Sequence, residues 1–491
     1  MNTAGSTNRT PVLVGIGLIS QREEDPARAR EPLTLMVDAV EAAGRDTGIS
    51  AVLTGTQYVA VPRGRWRYRN PAGAVARAIG APSATQVLAD VGVLQQSLIG
   101  EACARIARGE AHTTLVTGAD AGYRLLRAQI TGMAVTETTQ TDDPHLSLAP
   151  KEHLFHIAER RAGLEIPVAL YAIMESAFRA RHGWSVDAHR DRLARLYAHF
   201  STIAANNPHA WHRHSVSIDT IRNAGPRNPM QAFPYTRHHC STWNVDQGSA
   251  LLFCSVARAN ALGIHPSKWI YPVASTESNA MVPVSARGEI DACPGARITG
   301  EAALMAGQMT IREVDLVELY SCFPIAVSAY AQALGLDLET PHTITGGMPF
   351  AGGPFNNYVL HASGRAAELL RQGQRRTALV SSVSGLLTKQ AFGLWSTKPP
   401  SGGFTCADLS SMVAQQSDIR DVVEDFTGNG SVVGYTVLHS RDQLSRGIVL
   451  LDIGHRRRAI ATTENPEHID RLERDEWIGQ HLTIDQNRIC T

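Results

Sequence analysis

Cysteine is sparse in this chain, and no two cysteines form a Cys-x-x-Cys pair. The seven, at 103, 240, 254, 293, 322, 406 and 490, are scattered and odd in number. That pattern excludes a disulfide framework and a cysteine-rich zinc site, and reads as free thiols in a reducing compartment. Net charge is missing too: 46 basic residues balance 46 acidic ones, so no global field points to nucleic acid or an anionic membrane. Lysine is scarce, four residues beside 42 arginines, which fits a GC-rich genome better than a chemical demand. No apolar stretch, Ala250–Val256 included, nears the roughly 20 residues that span a bilayer. The opening MNTAGSTNRT lacks a charged start and apolar run, so no signal peptide is read and a cytoplasmic location is expected. What is present is 491 residues with 43% apolar and 19% charged side chains, ample for a core and, by length, for about three domains.

Residues 1–10 are polar and read as disordered. Pro11–Gly17 (PVLVGIG) reads as a buried strand and Leu33–Ala43 as the helix after it, an alternation that favours an α/β layer architecture. Gln86–Val91 is a second strand, leading into a helix whose Leu94, Leu98, Ala102 and Ile106 form one apolar stripe. Gly109 stops that helix and Thr113–Val116 follows as a strand. An echo appears 264 residues later: Ala104–Gly118 (ARIARGEAHTTLVTG) aligns with Glu368–Ser382 (ELLRQGQRRTALVSS), matching Gly109 to Gly373. A duplicated α/β unit is implied. Ala121–Arg237 between the halves has few strand signals and reads as a helical insert, with Leu193–Ala204 its clearest helix. Ser396–Phe404 reads as a linker. Ser431–Leu438, Gly447–Ile453 and Arg457–Thr462 then suggest a small β-rich module, barrel-like, of about 80 residues.

Four places could carry chemistry. The strand–helix junction Val91–Ser97 offers a helix N-terminus that would stabilise a thiolate or oxyanion, but Val93, Leu94, Gln95 and Gln96 supply no nucleophile. Cys103, further along that helix, reads as a packed core cysteine. Val317–Pro324 (VELYSCFP) ends a strand in reactive side chains, where α/β folds put ligands; Tyr320 is a candidate proton donor and Cys322 a lining thiol, against ordinary packing at a strand end. Thr345–Asn357 (TGGMPFAGGPFNN) carries two glycine pairs whose bare amides could meet a carbonyl oxyanion or phosphate, or simply make tight turns. No GxxxxGK[ST] loop is present. The histidines 209, 212, 214, 238 and 239, with Cys240, read as a solvated Arg-rich region rather than a metal site, and no metal is expected.

Together these pieces resemble the thiolase superfamily. The resemblance rests on the duplicated unit, the insert, PYTR at Pro234–Arg237, VDQGSALLF at Val245–Phe253, LYSCFP at Leu319–Pro324 and GGMPFAGGP at Gly346–Pro354. It covers about residues 10–400, and the β-rich tail resembles the extra domain of thiolase-like proteins of type 1. It implies two βαβαβαββ halves (10–120 with 245–275, and 276–398), a helical loop-domain insert (121–244) that receives coenzyme A, and a β-rich C-terminal domain (405–491).

Carried over position by position, the resemblance puts the thiolase nucleophile on Val93 and the base histidine of Gly-His-Pro on Gly353. His361 lies eight residues on, about 12 Å along a helix, too far to substitute. The motif histidine falls on Tyr320 and the aspartate on Ser321, while Cys322 is kept; the second catalytic cysteine falls on Ser382, or on Ser384 if the register slips. Valine cannot be acylated and glycine cannot move protons, so conventional acetyl-CoA acetyltransferase chemistry is expected to be absent or weak. What remains is a pocket for coenzyme A or acyl-CoA, with Ser321, Gly352 and Gly353 as contacts and no tightly bound cofactor. Two alternatives stand beside binding alone: retro-aldol cleavage of a β-hydroxyacyl-CoA through Tyr320, and acyl transfer through Cys322 or Ser382. Either would belong to lipid metabolism. No tyrosine falls on the Gly353 position, Tyr358 being five residues away. A partner protein could complete a site, and the chain is expected as a monomer or a homodimer. The tail shows no aromatic-plus-basic stripe for nucleic acid.

Overall fold

A computed structural model describes residues 8–440 and 445–490. The expected disorder of residues 1–10 falls, through residue 7, outside the described residues.

The strand-then-helix alternation builds two sheets of the same design. The first takes β1 (Pro11–Gln21), β2 (Tyr58–Pro62), β3 (Thr85–Ala89), β4 (Thr113–Ala121) and β5 (Leu146–Leu148). After two short strands of the insert, β6 (Met230–Ala232) and β7 (Tyr235–Thr236), it closes with β8 (Asp246–Ser255). Its order is β1-β8-β4-β2-β3-β5, and β8 runs antiparallel to both neighbours. The second sheet contains β9 (Tyr271–Ser278), β10 (Leu316–Glu318), β11 (Thr377–Ser384), β12 (Lys389–Ser396) and β13 (Thr405–Asp408), in the order β10-β11-β12-β9-β13. Again a late strand of the unit, β12, sits antiparallel between its first strand, β9, and the strand before it, β11. The duplication inferred from one helix, glycine and strand therefore extends to the sheet order.

Two details depart from the sequence reading. Among the described residues the second half has no strand between β10 and β11: Pro341–Thr345 runs past the end of β10 with Leu319 N–H donating to the His342 carbonyl at 3.0 Å. And Thr405–Asp408, expected to open the tail, pairs in parallel with β9 and extends the second sheet instead. Each correction rests on hydrogen-bond partners far away in sequence.

Helices α1 (Pro32–Asp46) and α2 (Pro71–Ala78) cover the outer face of the first sheet. Helix α3 (Gln95–Arg108) is sandwiched between the sheets, its Thr114 contact on β4 and its Gln96–Ser275 bond on β9. It stops where Gly109 takes φ +78°, a left-handed cap that glycine adopts without strain, and Gly373 repeats it at +80°. The insert supplies α4 (Pro167–Arg181) and α5 (Val186–Ala205); α6 (Pro294–Ala306) and α7 (Pro324–Leu334) cover the second sheet; α8 (Tyr358–Arg371) joins α3 in the central layer. The insert is not purely helical, because β5 joins the first sheet and β6 pairs with the tail at Ala232–Leu438.

In the tail, β14 (Asp421–Val422) pairs with β17 at one side of a five-stranded ring. The ring comprises β15 (Gly428–Leu438), β16 (Arg446–Asp452), β17 (Arg457–Thr463), β18 (His481–Asp485) and β19 (Arg488–Ile489). Pairing runs 15-16-17-19-18 and back to 15, so the barrel closes. Among the described residues, each strand of the ring therefore has a neighbour on both sides. Its core contains Val432, Tyr435, Val437, Val449, Leu451, Trp477 and Ile484.

The barrel sits on the insert through α4. Arg179, 5% exposed at its side chain, holds both Glu476 carboxylate oxygens at 2.6 and 2.7 Å, and Ser176 Oγ accepts Tyr435 N–H at 2.9 Å. A bulge between Val432 and Gly434 brings β15 close to α4. A Cβ at Gly434 would lie 2.6 Å from Ile290 Cδ1 and 2.7 Å from Ile173 Cγ2. Gly434→Val is accordingly expected to destabilise the protein by about 1–3 kcal/mol through overpacking. Urea unfolding, with proteolysis of the tail as a second readout, checks this; unchanged stability would contradict the close contact.

Candidate functional site

The junction before α3 places Val93, half-buried, just after Gly92, whose φ of +101° turns the chain into the helix. One first-turn N–H at the N-terminus of the other central helix is met by a neutral amide. Gln95 Oε1 accepts Val359 N–H at 2.7 Å, and Gln95 Nε2 donates to Asn356 Oδ1 at 3.1 Å. The two central helices are thus stitched together at their first turns.

Strand β10 delivers Leu319–Phe323 to the same end of the molecule. Tyr320 N–H donates to Ser381 Oγ at 2.8 Å, which sets it beside Ser382 on β11. The Tyr320 ring meets Tyr358 edge-on at 5.6 Å; the residue keeps 9% exposure, and among the described residues none hydrogen-bonds its hydroxyl. Burial raises its pKa, so it stays a neutral donor. Ser321 Oγ accepts Met348 N–H at 3.0 Å and anchors the glycine loop. Burial pushes the Cys322 thiol up to about 12, against the small opposing effect of the Tyr171 hydroxyl, so thiolate is scarce at neutral pH. Ser382 is buried, its hydroxyl has no hydrogen-bond partner among the described residues, and its carbonyl accepts from Tyr330. Glu318, just before, is buried under Tyr358 and the Thr343–Thr345 turn; burial raises its pKa although all of these groups hydrogen-bond to it.

The glycine loop is fixed by close approach. Gly347 leaves room for Phe200, whose Cδ2 would lie 2.6 Å from a Cβ there. Gly353 is the telling position: a Cβ would overlap Ser241 Oγ. That hydroxyl is buried and unpartnered among the described residues. Ser241 N–H donates to the Cys322 carbonyl at 3.2 Å, Thr242 N–H to the Met348 carbonyl at 3.1 Å, and Gly353 N–H to the Thr242 carbonyl at 2.9 Å. The Ser241–Thr242 segment therefore laces the Cys322 and Gly353 segments together. Nothing in the sequence pattern singles out Ser241 or Gln95; their roles depend on partners 81 to 264 residues away.

Beside Ser241 opens a cleft of about 960 Å³, walled by Cys240, Ser241, Trp243, Phe323, Arg237 and His439. It lies between the insert, the core and the barrel's β15 end. The histidine-rich stretch divides. His209 pairs with Glu368 at 2.9 Å, His239 is buried against Thr236, and His361 is buried on α8 with burial pushing it down to about 3. Among the described residues no three His, Cys, Asp or Glu side chains are grouped so as to hold a metal ion. No helix among them is long and apolar enough to cross a membrane.

Two halves with one sheet order, a central pair of helices and an insert beside the strand ends make a thiolase-like fold. No family model matches the chain. Over nearly its whole length it is similar to the monomeric SCP2-thiolase-like protein type 1 of Mycobacterium smegmatis, with a TM-score of 0.81 and 28% identity, covering 98% of this chain and 99% of that one. The Ltp2-ChsH2(DUF35) aldolase shares the fold at a TM-score of 0.59 and 18% identity, covering 80% of this chain and 99% of that one. An acetyl-CoA acetyltransferase of Methanocaldococcus jannaschii is 24% identical over 175 residues, 34% of this chain and 40% of that protein. The chain thus spans about two fifths of the length of the curated relatives it matches.

The Ser241–Gly353 contact makes a direct prediction. Gly353→His alone should cost about 1–3 kcal/mol by overpacking, and Ser241→Gly in the same chain should recover most of it. Thermal unfolding of the single and double variants checks this. Equal stability of both would mean that Ser241 does not fill the position.

Proposed function

We propose that the protein binds acyl-CoA thioesters in the cleft beside Ser241 and does not transfer their acyl group. The observation that carries this reading is the overlap of Ser241 Oγ with any side chain at Gly353, the place where the resemblance puts the base. Val93 at the nucleophile position, a Cys322 thiol held near 12 and a Ser382 hydroxyl without a base support it further. Acyl transfer needs a thiolate, a base and an oxyanion hole acting together. Here Gln95 already occupies the helix-terminal donor at Val359. The cleft, by contrast, is large and lined by both polar and apolar side chains. Soluble acyl-CoA metabolism is the setting this reading implies.

One observation favours a second reading. The Tyr320 hydroxyl is neutral and unengaged, and could donate to a thioester oxygen as enolate charge develops in a retro-aldol step. The base for the β-hydroxyl would then come from a partner chain.

Calorimetric titration with acetyl-CoA and a longer acyl-CoA tests the first reading. Binding with Kd between about 1 μM and 1 mM, roughly −8 to −4 kcal/mol, is expected, without release of free coenzyme A. No heat with either ligand would contradict it. Release of an aldehyde or ketone from a β-hydroxyacyl-CoA, abolished in Tyr320→Phe, would replace it with the second reading.

A further inference from the structure

A second cavity, of about 540 Å³, is lined by a different set of residues from the cleft beside Ser241. It opens between the segment after β9, helix α7, the β11–β12 turn and a short helix at Ser410–Gln416. Its apolar walls come from Ala280, Val282, Ala329, Ala333, Leu387 and Val413. Two buried polar side chains line the same space with bonding capacity to spare. Gln390, 2% exposed, donates through Nε2 to the Leu387 carbonyl at 2.7 Å, which fixes the orientation of its amide. Its Oε1 is buried and has no hydrogen-bond partner among the described residues. That oxygen lies over the first turn of α6, so close that a Cβ at Gly295 would overlap it. Cys293, the N-cap residue of α6, also lines the cavity, and its side chain makes no cap hydrogen bond.

Arg287, buried, is the second. It donates from Nε to the Val282 carbonyl at 3.1 Å, from Nη1 to Met174 Sδ at 3.2 Å and from Nη2 to the Leu386 carbonyl at 2.6 Å. Each Nη keeps a second N–H, and no carboxylate among the described residues forms an ion pair with this guanidinium. Burial pulls its pKa down to about 10, against the opposing effects of Cys293, Glu159 and Tyr171, so it remains a cation at neutral pH. Glu159 spends its two oxygens on Ser285 N–H at 2.7 Å and His156 N–H at 2.9 Å. The carboxylates that line the cavity are engaged as well: Asp291 and Glu289 with Arg181, Asp418 with Arg420 and Arg456. The two carbonyls that Arg287 and Gln390 hold belong to the turn in which Gly385, Leu386 and Leu387 take φ of +59°, +53° and +69°, backbone that leucine adopts only at a cost. A buried cation without a counter-ion and a buried acceptor without a donor are each unfavourable, and one ligand can relieve both.

We propose that this cavity is a binding site for a medium-chain hydroxycarboxylic acid, with the carboxylate on Arg287, the hydroxyl donating to Gln390 Oε1 and the alkyl chain against the apolar walls. The volume falls within the roughly 300–1,000 Å³ of small-molecule pockets, more than a two- or three-carbon acid fills. The carboxylate supplies the missing counter-charge, and the hydroxyl supplies the missing donor. The site goes beyond the acyl-CoA reading and does not depend on it.

The test is calorimetry on the full chain with three probes: 3-hydroxyoctanoate, octanoate, which lacks the hydroxyl, and octane-1,3-diol, which lacks the carboxylate. Expected is binding of 3-hydroxyoctanoate with Kd below about 1 mM, and about tenfold weaker binding of each of the other two. Gln390→Met should lower the affinity for 3-hydroxyoctanoate to that for octanoate and leave octanoate unchanged. Ala333→Leu, which narrows the cavity and keeps its polar groups, should weaken 3-hydroxyoctanoate and octanoate alike. Unfolding curves that match wild type show that each variant reports on binding; if Gln390→Met unfolds early, the probe series and Ala333→Leu decide. No binding of 3-hydroxyoctanoate to wild type, equal affinity for the three probes, or affinity unchanged in Ala333→Leu would overturn the proposal. Displacement of 3-hydroxyoctanoate by acetyl-CoA would overturn it too, since the hydroxy acid would then occupy the cleft. Acetyl-CoA bound with unchanged affinity in the presence of the hydroxy acid would uphold two separate sites, and absence of acetyl-CoA binding beside a bound hydroxy acid would overturn the acyl-CoA reading alone.

Discussion

Two helix N-termini meet between the sheets, and one glutamine amide joins them. Helices α3 and α8 lie between the two sheets, and the first turn of any helix carries N–H groups without partners inside the helix and a positive dipole end. An anion or thiolate placed between them would be stabilised. Gln95 meets the demand with a neutral amide instead, accepting from Val359 and donating to Asn356. The same bridge ties the first half of the duplicated core to the second. A neutral bridge secures the fold without creating the electrostatic conditions that activate a nucleophile.

The rest of the site follows from that choice. The glycine loop closes onto its neighbours, and Ser241 fills the space at Gly353. Tyr171, on the face of α4 turned to the core, stacks on Phe323 at 4.5 Å, while Ser176 and Arg179 on the same helix hold the barrel. One helix therefore spans from the cleft wall to the tail. The barrel is positioned by the element that also supports the strand end carrying Tyr320 and Cys322.

Much of the architecture was legible because it is encoded locally. Gly109 and Gly373 mark equivalent helix ends, and the alternation in Ser431–Leu438 and its neighbours announces barrel strands that the closed ring contains. What the sequence concealed depends on distant partners. Thr405–Asp408 reads as the start of a tail until its pairing with β9 is seen, and among the described residues no strand stands between β10 and β11, where Pro341–Thr345 runs as a turn around Glu318. In the site, Tyr320, Cys322, Ser382 and the glycine loop could be nominated from motif positions. Ser241 could not, since a serine one residue after a cysteine carries no signal until its hydroxyl is found against Gly353.

The account rests on a thioester being held without being attacked. Intact-mass spectrometry of the protein after incubation with saturating acetyl-CoA, and separately with a longer acyl-CoA, tests this most directly. An unmodified mass under conditions where calorimetry shows the ligand bound is the predicted result. A mass increase of one acyl group, lost on Cys322→Ser or Ser382→Ala, would contradict it and make the protein an acyltransferase with a displaced nucleophile.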